Sequence, residues 1–231
     1  MAWVSKISPA APTFEQNRRE MLALVAQLRA LEARAVAASN KRRATFEKRG
    51  QVCPHERIAL LLDPGMPFLR LHTLANYLVA DDAPGSSIPG ASVIMGIGFV
   101  GGVRCMIWAD DSGIRAGAYT PTTISTALSI QQIALRQNLP LIHLVESAGA
   151  NLMDFTVENW ANAGTMFRNL ARFSSAGLPT ITVLHGPSTA GGAYMPGMSD
   201  YVVGVRNNGM AALAGAALVK AATGEEADDR E

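Results

Sequence analysis

The N-terminal part of the chain carries a helical pattern of apolar positions. Apolar residues recur at three- and four-residue intervals among charged ones, namely Met21, Leu24, Leu28 and Leu31. This spacing puts the apolar side chains on one face and predicts a long amphipathic helix over residues 13–48. Thr13 and Gln16 occupy the positions of a capping box at its start, and Gly50 is expected to end it.

Beyond this helix the pattern shortens and then changes to that of strands. Residues 54–62 predict a short helix that stops at the turn Asp63-Pro64-Gly65. Two apolar runs, residues 93–100 and 103–108, flank Gly101-Gly102 and predict a β-hairpin. Because their apolar and polar positions alternate imperfectly, we expect both faces of these strands to be covered.

The second half of the chain repeats strand, loop and helix. The predicted strands are residues 141–145, 180–184, 201–205 and 210–213, and the predicted helices are residues 121–137, 162–174, 216–222 and a segment that begins at Gly191. This alternation is typical of an α/β protein with a parallel sheet and outer helices, in which the loops at strand ends gather the ligand.

Composition restricts the class of protein and its partners. The chain has 231 residues, 48% of them hydrophobic and 17% charged, which is enough for one α/β core. Its formal charge of +1 favours neither nucleic acid nor an anionic membrane as a partner. No apolar run reaches the length of a membrane span, and the N-terminus has no targeting pattern. The two cysteines, Cys53 and Cys105, lack metal-ligand spacing and fit a reducing compartment.

The side chains that usually carry catalysis form no recognisable set. The histidines show no metal-ligand spacing, so structural or surface roles are expected for His55, His72, His143 and His185. Ser188 follows His185, but residues 186–190 lack the closing glycine of a nucleophile elbow, which disfavours serine hydrolysis. The basic residues at 41–49 and the acidic C-terminal tail are expected to be solvated. A docking surface for phosphate groups is the alternative for the basic run.

What remains is backbone chemistry at two strand ends. The strand at 180–184 leads into Gly191-Gly192, and the strand at 141–145 leads into Ala148-Gly149. Glycine at such turns leaves backbone N–H groups open to an oxyanion, because no Cβ blocks the approach. One N–H from each strand end, without a side-chain acid or base nearby, suits an enolate oxygen. Tight helix packing is the alternative reason for the Gly-Gly pair.

Several segments, in order along the chain, make it similar to a known family. They are Arg49-Gly50, residues 54–58 (PHERI), 62–69 (LDPGMPFL), 109–111 (ADD), 117–119 (GAY), 189–200 (TAGGAYMPGMSD) and 218–225 (LVKAATGE). Together they resemble the carboxyltransferase subunits of biotin-dependent acyl-CoA carboxylases, in the branch that includes the methylcrotonyl-CoA and geranyl-CoA enzymes.

The resemblance implies a fold and its division. It implies an α/β crotonase-like fold, a spiral of β-β-α units, over residues 50–231, with an amphipathic helical extension over residues 1–49. It implies transfer of a carboxyl group from carboxybiotin, carried on a separate domain or protein, to an acyl-CoA. A biotin carboxylase or biotin carrier subunit, a second carboxyltransferase domain and further copies of the chain are the implied partners. The implied location is the cytoplasm, or the mitochondrial matrix of a eukaryote.

The resemblance also assigns site residues. The catalytic oxyanion hole would be formed by Gly191 and Gly192 on one side and Ala148 and Gly149 on the other. Contacts to the CoA ester are implied for Arg115, Gly117, Ala118, Tyr119, Ala150, Ala193 and Tyr194. No metal is implied, and Arg42 and Arg43 are further candidates for the CoA phosphates.

The chain departs from the family pattern at several places. It has Glu146-Ser147-Ala148 where relatives have Asp-Ser-Gly, a shorter segment at 151–160, and Ser125 and Thr126 in place of two lysines. Relatives also carry a second crotonase-like domain, so this polypeptide alone is expected to be incomplete for carboxyl transfer. Two alternatives stay open: a non-catalytic domain that binds CoA esters or mediates assembly, and a subunit of a biotin-dependent acyl-CoA decarboxylase.

Overall fold

The computed structural model of the protein describes residues 4–150, 153 and 156–226. In this part of the chain the helices are α1 (Pro12–Asn40), α2 (Arg43–Lys48), α3 (Pro54–Leu61), α4 (Pro121–Gln137), α5 (Val157–Ser175), α6 (Gly191–Gly197) and α7 (Ala216–Thr223). The strands are β1 (Leu69–Leu71), β2 (Val93–Val100), β3 (Val103–Asp110), β4 (Leu141–Ser147), β5 (Thr180–Thr189), β6 (Tyr201–Gly204) and β7 (Met210–Ala212). None of the described helices is long and apolar enough to cross a bilayer.

All described strands belong to one sheet with the order β1-β2-β3-β4-β5-β6. The seventh strand, β7, pairs with residues 187–189 of β5, which follow the residues of β5 that pair with β6. The pairs β1·β2 and β2·β3 are antiparallel, and the pairs from β3 to β6 are parallel. Val100 pairs with Val103 across the two-glycine turn, which confirms the predicted hairpin. The helices α4 and α5 connect parallel strands, as the α/β pattern predicted.

The core lies on both faces of the central strands. On one face, Met106 and Trp108 of β3 pack with α4 and α5, which contribute Ile130 and Phe173. On the other face, Ile107 and its neighbours pack against the segment that follows α3, including Phe68. Every residue of β4 is buried. The expectation that strands near the hairpin are covered on both faces is confirmed.

The long N-terminal helix differs from its prediction in two ways. It is interrupted after Asn40, so that α1 and the short α2 replace one helix over residues 13–48. It begins at Pro12 with Ala11 as N-cap, and no side chain caps it, so the expected capping box of Thr13 and Gln16 is wrong. Proline supplies the start instead, because its ring fixes a helical φ and its missing N–H needs no partner there.

The C-terminal half of α1 packs on the rest of the chain. Ala35 and Ser39 are buried, and the Ser39 hydroxyl donates to Asp111 Oδ1 at 2.6 Å. Burial raises the pKa of Asp111 to about 6, and the bond from Ser39 opposes this rise. The N-terminal half of the helix is exposed, with Met21 and Leu24 each about 60% accessible. The helical extension is therefore anchored at one end only.

Two other boundaries moved by five residues, and the ends of β3 and β4 by two. Helix α5 begins at Val157, five residues before the predicted start, because the Thr156 hydroxyl accepts the Asn159 N–H and caps it. Strand β5 continues past residue 184 to Thr189, where it pairs with β7. This extension carries β5 to the turn from which α6 starts.

Candidate active site

The turn from β5 into α6 exposes two backbone donors. Ala190 has φ 48° and ψ −116°, a strained conformation for a residue with a side chain. Its N–H donates to the Ala212 carbonyl at 3.0 Å, which holds the turn against β7. The next two residues, Gly191 and Gly192, open the helix, and neither N–H is donated to any residue that the structure describes. Unpaired N–H groups at this point can donate hydrogen bonds to an anionic oxygen.

The two glycines are there for different reasons. A Cβ on Gly192 would lie 3.0 Å from the Ser147 Cβ, so this glycine allows α6 to pack closely on the end of β4. A Cβ on Gly191 would meet only the Phe167 ring, at 3.8 Å, an ordinary contact. Tight packing therefore explains Gly192, and open space in front of the backbone is the distinguishing feature of Gly191.

The second strand end, after β4, has its donors already engaged. The Ala148 N–H donates to the Ala116 carbonyl at 3.1 Å, and the Gly149 N–H donates to Ser147 Oγ at 3.1 Å. The Gly149 carbonyl accepts the Tyr119 N–H at 2.8 Å. The sequence led us to expect free N–H groups at Ala148 and Gly149. In the structure both are donated within the chain.

The Ala116 carbonyl, which accepts the Ala148 N–H, belongs to a turn of left-handed residues. Arg115, Ala116 and Gly117 all have positive φ, at 50°, 53° and 69°. Gly117 is required there, because a Cβ would run into the Glu146 carbonyl oxygen. Its own carbonyl accepts the Ser147 hydroxyl at 2.7 Å. The segments 115–119 and 146–150 are therefore joined into one rigid wall.

This wall, the β5–α6 turn and α5 enclose a cavity of about 620 Å³. Five of the residues expected at the site line it: Tyr119, Ala148, Ala150, Gly191 and Tyr194. The rest of its described lining is mostly apolar and comes from α4, α5 and the β7–α7 segment. The other expected residues do not line the cavity: Arg115, Gly117, Ala118, Gly149, Gly192 and Ala193. Among the described lining residues there is no Asp, Glu, His, Lys or Arg.

Tyr119 is the most deeply placed polar residue of the lining. It is 4% exposed, and its hydroxyl lies near Ser147. Burial, together with the negative charge of Asp110, raises its pKa well above the usual value. The phenol is therefore neutral at physiological pH.

Sequence reasoning missed a polar cluster on the opposite face of the sheet. Successive strand residues point to opposite faces, so Ser147 faces α6 while the Glu146 side chain faces away. Glu146 Oε2 accepts the Ser112 hydroxyl at 2.8 Å and lies 3.3 Å from Arg57 Nη1. Arg57 Nη1 also lies 3.1 Å from His185 Nε2. These residues are far apart in sequence, and no local pattern connects them.

The protonation of His185 follows from this contact. A guanidinium can only donate, so His185 Nε2 accepts and its ring proton resides on Nδ1, 3.6 Å from Glu146 Oε2. Burial, followed by the charge of Arg57, lowers the pKa of His185 to about 3. His185 is thus a neutral histidine whose ring accepts a hydrogen bond from Arg57 on the face of the sheet opposite the cavity.

The structure also excludes a serine–histidine pair. Ser188 is fully buried and lies beside Ser147 in the β4·β5 register, whereas His185 faces Glu146 on the other side of the sheet. His143 is buried against Asp110, with Nε2 and Oδ1 3.2 Å apart. In the described chain no group of three His, Cys, Asp or Glu residues could hold a metal ion.

The remaining expectations concern residues away from the cavity. In the basic run, Arg43 pairs with Glu56 at 2.5 Å, and Arg49 lies 4.0 Å from Glu146. None of residues 41–49 lines the cavity. Thr126 donates its hydroxyl within α4. Lys220 pairs with Glu226 at 2.6 Å.

In the altered segment 151–160, residues 151, 152, 154 and 155 lie outside the described residues, as do residues 227–231 of the acidic tail.

Comparison with known proteins adds independent information. The carboxyl transferase domain family matches residues 46–231. A probable biotin-dependent acyl-coenzyme A carboxylase beta2 subunit from Mycobacterium tuberculosis is 44% identical over 97% of this chain and 41% of its own length. A biotin-dependent 3-methylcrotonyl-coenzyme A carboxylase beta1 subunit from the same organism is 43% identical over 93% of this chain and 40% of its own.

A solved structure gives the same result for the fold. The beta subunit of geranyl-CoA carboxylase from Pseudomonas aeruginosa superposes with a TM-score of 0.86 at 44% identity, covering 100% of this chain and 42% of that one. The crotonase-like fold expected from the sequence is confirmed. The chain spans about two fifths of the length of the relatives it matches.

Proposed function

The chain belongs to the carboxyl transferase domain family, and from this premise we propose that it forms the acyl-CoA side of a carboxyltransferase in a biotin-dependent acyl-CoA carboxylase. The division into a helical extension, residues 1–49, and a crotonase-like domain, residues 50–231, is part of the proposal. The acyl-CoA is the substrate, and a carboxyl group replaces a proton on its acyl carbon chain.

One observation carries the proposal: the N–H groups of Gly191 and Gly192, which no described residue accepts, stand beside a cavity whose described lining carries no charged side chain. A thioester carbonyl placed at Gly191 would become an oxyanion when an α proton, or a vinylogous γ proton, leaves. Preorganised donors that stabilise such an oxygen contribute about 3–4 kcal/mol each. Apolar surroundings strengthen the effect, because they screen the attraction between the donors and the charge less than water does.

The described cavity wall offers no residue that would take the substrate proton. Neither a carboxylate nor an imidazole lines it, and the raised pKa of Tyr119 keeps that phenol protonated. Carboxybiotin on a separate carrier supplies the carboxyl group and, by the family resemblance, the base. The residues of this chain then have three tasks: they bind the acyl group, orient its carbonyl and exclude water.

The other predicted contacts enter as parts of the proposal. Tyr119, Ala150 and Tyr194 would touch the CoA ester from the cavity wall, and Ala193 would support them from α6. Ala118, Gly117 and Arg115 would do so from the left-handed turn. Ala148 and Gly149 complete the oxyanion hole in this proposal, and the Ala148 N–H must then leave the Ala116 carbonyl or be shared with it.

The proposed partners follow from the family resemblance. They are a biotin carboxylase or biotin carrier subunit, a second carboxyltransferase domain, and further copies of the chain in a homo-oligomer. The proposed location is the cytoplasm, or the mitochondrial matrix in a eukaryote.

A second candidate function has one specific observation in its favour. Because the Ala148 and Gly149 N–H groups are bonded internally, the end of β5 is, of these two strand ends and among the described residues, the one with free donors. A domain that binds CoA esters or mediates assembly, without catalysis, needs no second donor. The two functions differ in how the rate of carboxyl transfer responds to changes at Gly191.

The test is acyl-CoA-dependent transfer of a labelled carboxyl group. The mixture contains this chain, the second carboxyltransferase domain of a relative and a carboxylated carrier. We expect the unaltered chain to support transfer, and Gly191→Val to lower the rate at least about tenfold, because valine would fill the space in front of the N–H. Gly191→Ala is the matched control, since its Cβ makes only an ordinary contact. A rate that is insensitive to Gly191→Val would favour the non-catalytic function.

A further inference from the structure

Ser147, the last residue of β4, lies beneath the proposed oxyanion site without lining the cavity. It is 1% exposed, and it is not among the described residues that line the cavity, whereas the next residue, Ala148, is. Its hydroxyl donates to the Gly117 carbonyl at 2.7 Å and accepts the Gly149 N–H at 3.1 Å. The hydroxyl is thus both donor and acceptor, and each bond ties it to a different segment of the wall.

The bond from Gly149 fixes the backbone between the two residues. A serine hydroxyl that accepts the N–H two residues ahead closes a small ring, the ST-turn, and restrains the peptide groups inside it. That ring contains the Ala148 N–H, which donates to the Ala116 carbonyl at 3.1 Å. The second bond of the hydroxyl goes to Gly117, the residue after this acceptor. Ser147 therefore restrains both the Ala148 N–H and the turn that now accepts it.

The same serine also lies against the start of α6. A Cβ on Gly192 would lie 3.0 Å from the Ser147 Cβ and 3.4 Å from its Oγ, so the helix packs on this side chain with no space between them. The N–H groups of Gly191 and Gly192 belong to this first turn of α6. Ser147 is thus in contact with both strand ends from which the proposed site is built.

We propose that Ser147 is a positioning residue for carboxyl transfer, which holds the Ala148 peptide and the start of α6 where they meet the oxyanion of the acyl-CoA. This inference rests on the proposed function, because it assumes that the thioester oxygen binds between the two strand ends. Ser147 does not touch the acyl group, so it acts on the developing charge through backbone donors. Donors misplaced by about 1 Å can lower a rate by about a hundredfold.

The experiment measures kcat and KM for transfer of a labelled carboxyl group to 3-methylcrotonyl-CoA. The mixture contains this chain, the second carboxyltransferase domain of a relative and a carboxylated carrier. For Ser147→Ala we expect kcat to fall at least about tenfold and KM to change less than about threefold, because the lost interaction acts in the transition state. Ser147→Cys should show the same division, since a thiol fills a similar space but is a weak donor and acceptor.

The matched control is Ser188→Ala. Ser188 pairs with Ser147 in the β4·β5 register and is as deeply buried, but its hydroxyl has no hydrogen-bond partner in the described part of the chain. Its loss should change kcat and KM less than about twofold. Circular dichroism at the assay temperature checks the fold of each variant, and Ser147→Cys decides if Ser147→Ala is unfolded.

The outcomes separate this inference from the proposed function. If the folded Ser147 variants have the same kcat as Ser188→Ala, or raise KM with kcat unchanged, the inference is overturned and the proposed function stands. If the unaltered chain supports no transfer, the proposed function is overturned, and this inference with it.

Discussion

At the residue scale, the site depends on distinctions that the sequence does not display. The sequence does not distinguish Gly191 from Gly192. In the structure Gly191 borders the cavity, whereas Gly192 allows α6 to pack on Ser147. The difference arises because the two residues face different sides of α6 and because the Ser147 side chain of β4 lies against Gly192. The cluster of Glu146, Arg57 and His185 joins segments 89 and 128 residues apart in sequence. Such partners become neighbours only in the folded chain.

Two buried groups and the partly buried His55 give the protein a predictable pH dependence of stability. The pKa of His185 is lowered to about 3 and that of His55 to about 4, whereas that of Asp111 is raised to about 6. As the pH falls below about 6.5, the unfolded chain gains protons on both histidines before the folded chain does, which destabilises the fold. Asp111 acts oppositely between about pH 6 and 4, because its folded form takes up the proton first.

We therefore expect the free energy of unfolding to decline below about pH 6.5, with a net difference of about one proton between pH 6 and 4, or about 1.4 kcal/mol per pH unit. Urea denaturation at a series of pH values measures this slope. His185→Gln should make the slope shallower, and Asp111→Asn should make it steeper. The prediction is wrong if stability is constant down to pH 4, or if neither variant changes the slope.

At the element scale, the sequence predicted the kind and order of the main elements, and the errors lie at their ends. The hairpin, the strands of the second half and helices α4, α6 and α7 are where the pattern put them. The start of α5 was missed because Thr156 caps it before its apolar periodicity begins. The break after Asn40 was missed because residues 41–48 continue a helical pattern in the sequence, although the backbone turns there.

The attachment of α1 gives a prediction at this scale. Ser39→Ala removes the hydroxyl that donates to the buried Asp111 carboxyl, so it should lower the free energy of unfolding by about 1–3 kcal/mol. Limited proteolysis should then release the segment before residue 40 faster than in the unaltered chain. Ser5→Ala, at an exposed position near the N-terminus, is the control. Equal cleavage rates for Ser39→Ala and the control would show that this bond does not anchor the helix.

At the scale of the whole molecule, the proposed acyl-CoA site lies on one side of the sheet and the polar cluster around Glu146 lies on the other. The parallel strands end at the same edge, where the β4 and β5 loops meet the cavity. Motifs in the sequence indicated which strand ends would matter. The cavity itself, its apolar α5 wall and the internal bonding of the Ala148 N–H depend on tertiary contacts, and these were beyond sequence reasoning.

Calorimetric titrations of this chain with CoA and with an acyl-CoA test directly whether the cavity binds the acyl group. We expect 3-methylcrotonyl-CoA to bind more tightly than CoA alone, because in the proposed site the cavity holds the acyl group and the Gly191 N–H donates to its carbonyl. Gly191→Val should abolish this difference while leaving the weaker binding of CoA in place. Equal affinities for CoA and its ester in the unaltered chain, or an ester preference that survives Gly191→Val, would contradict the account.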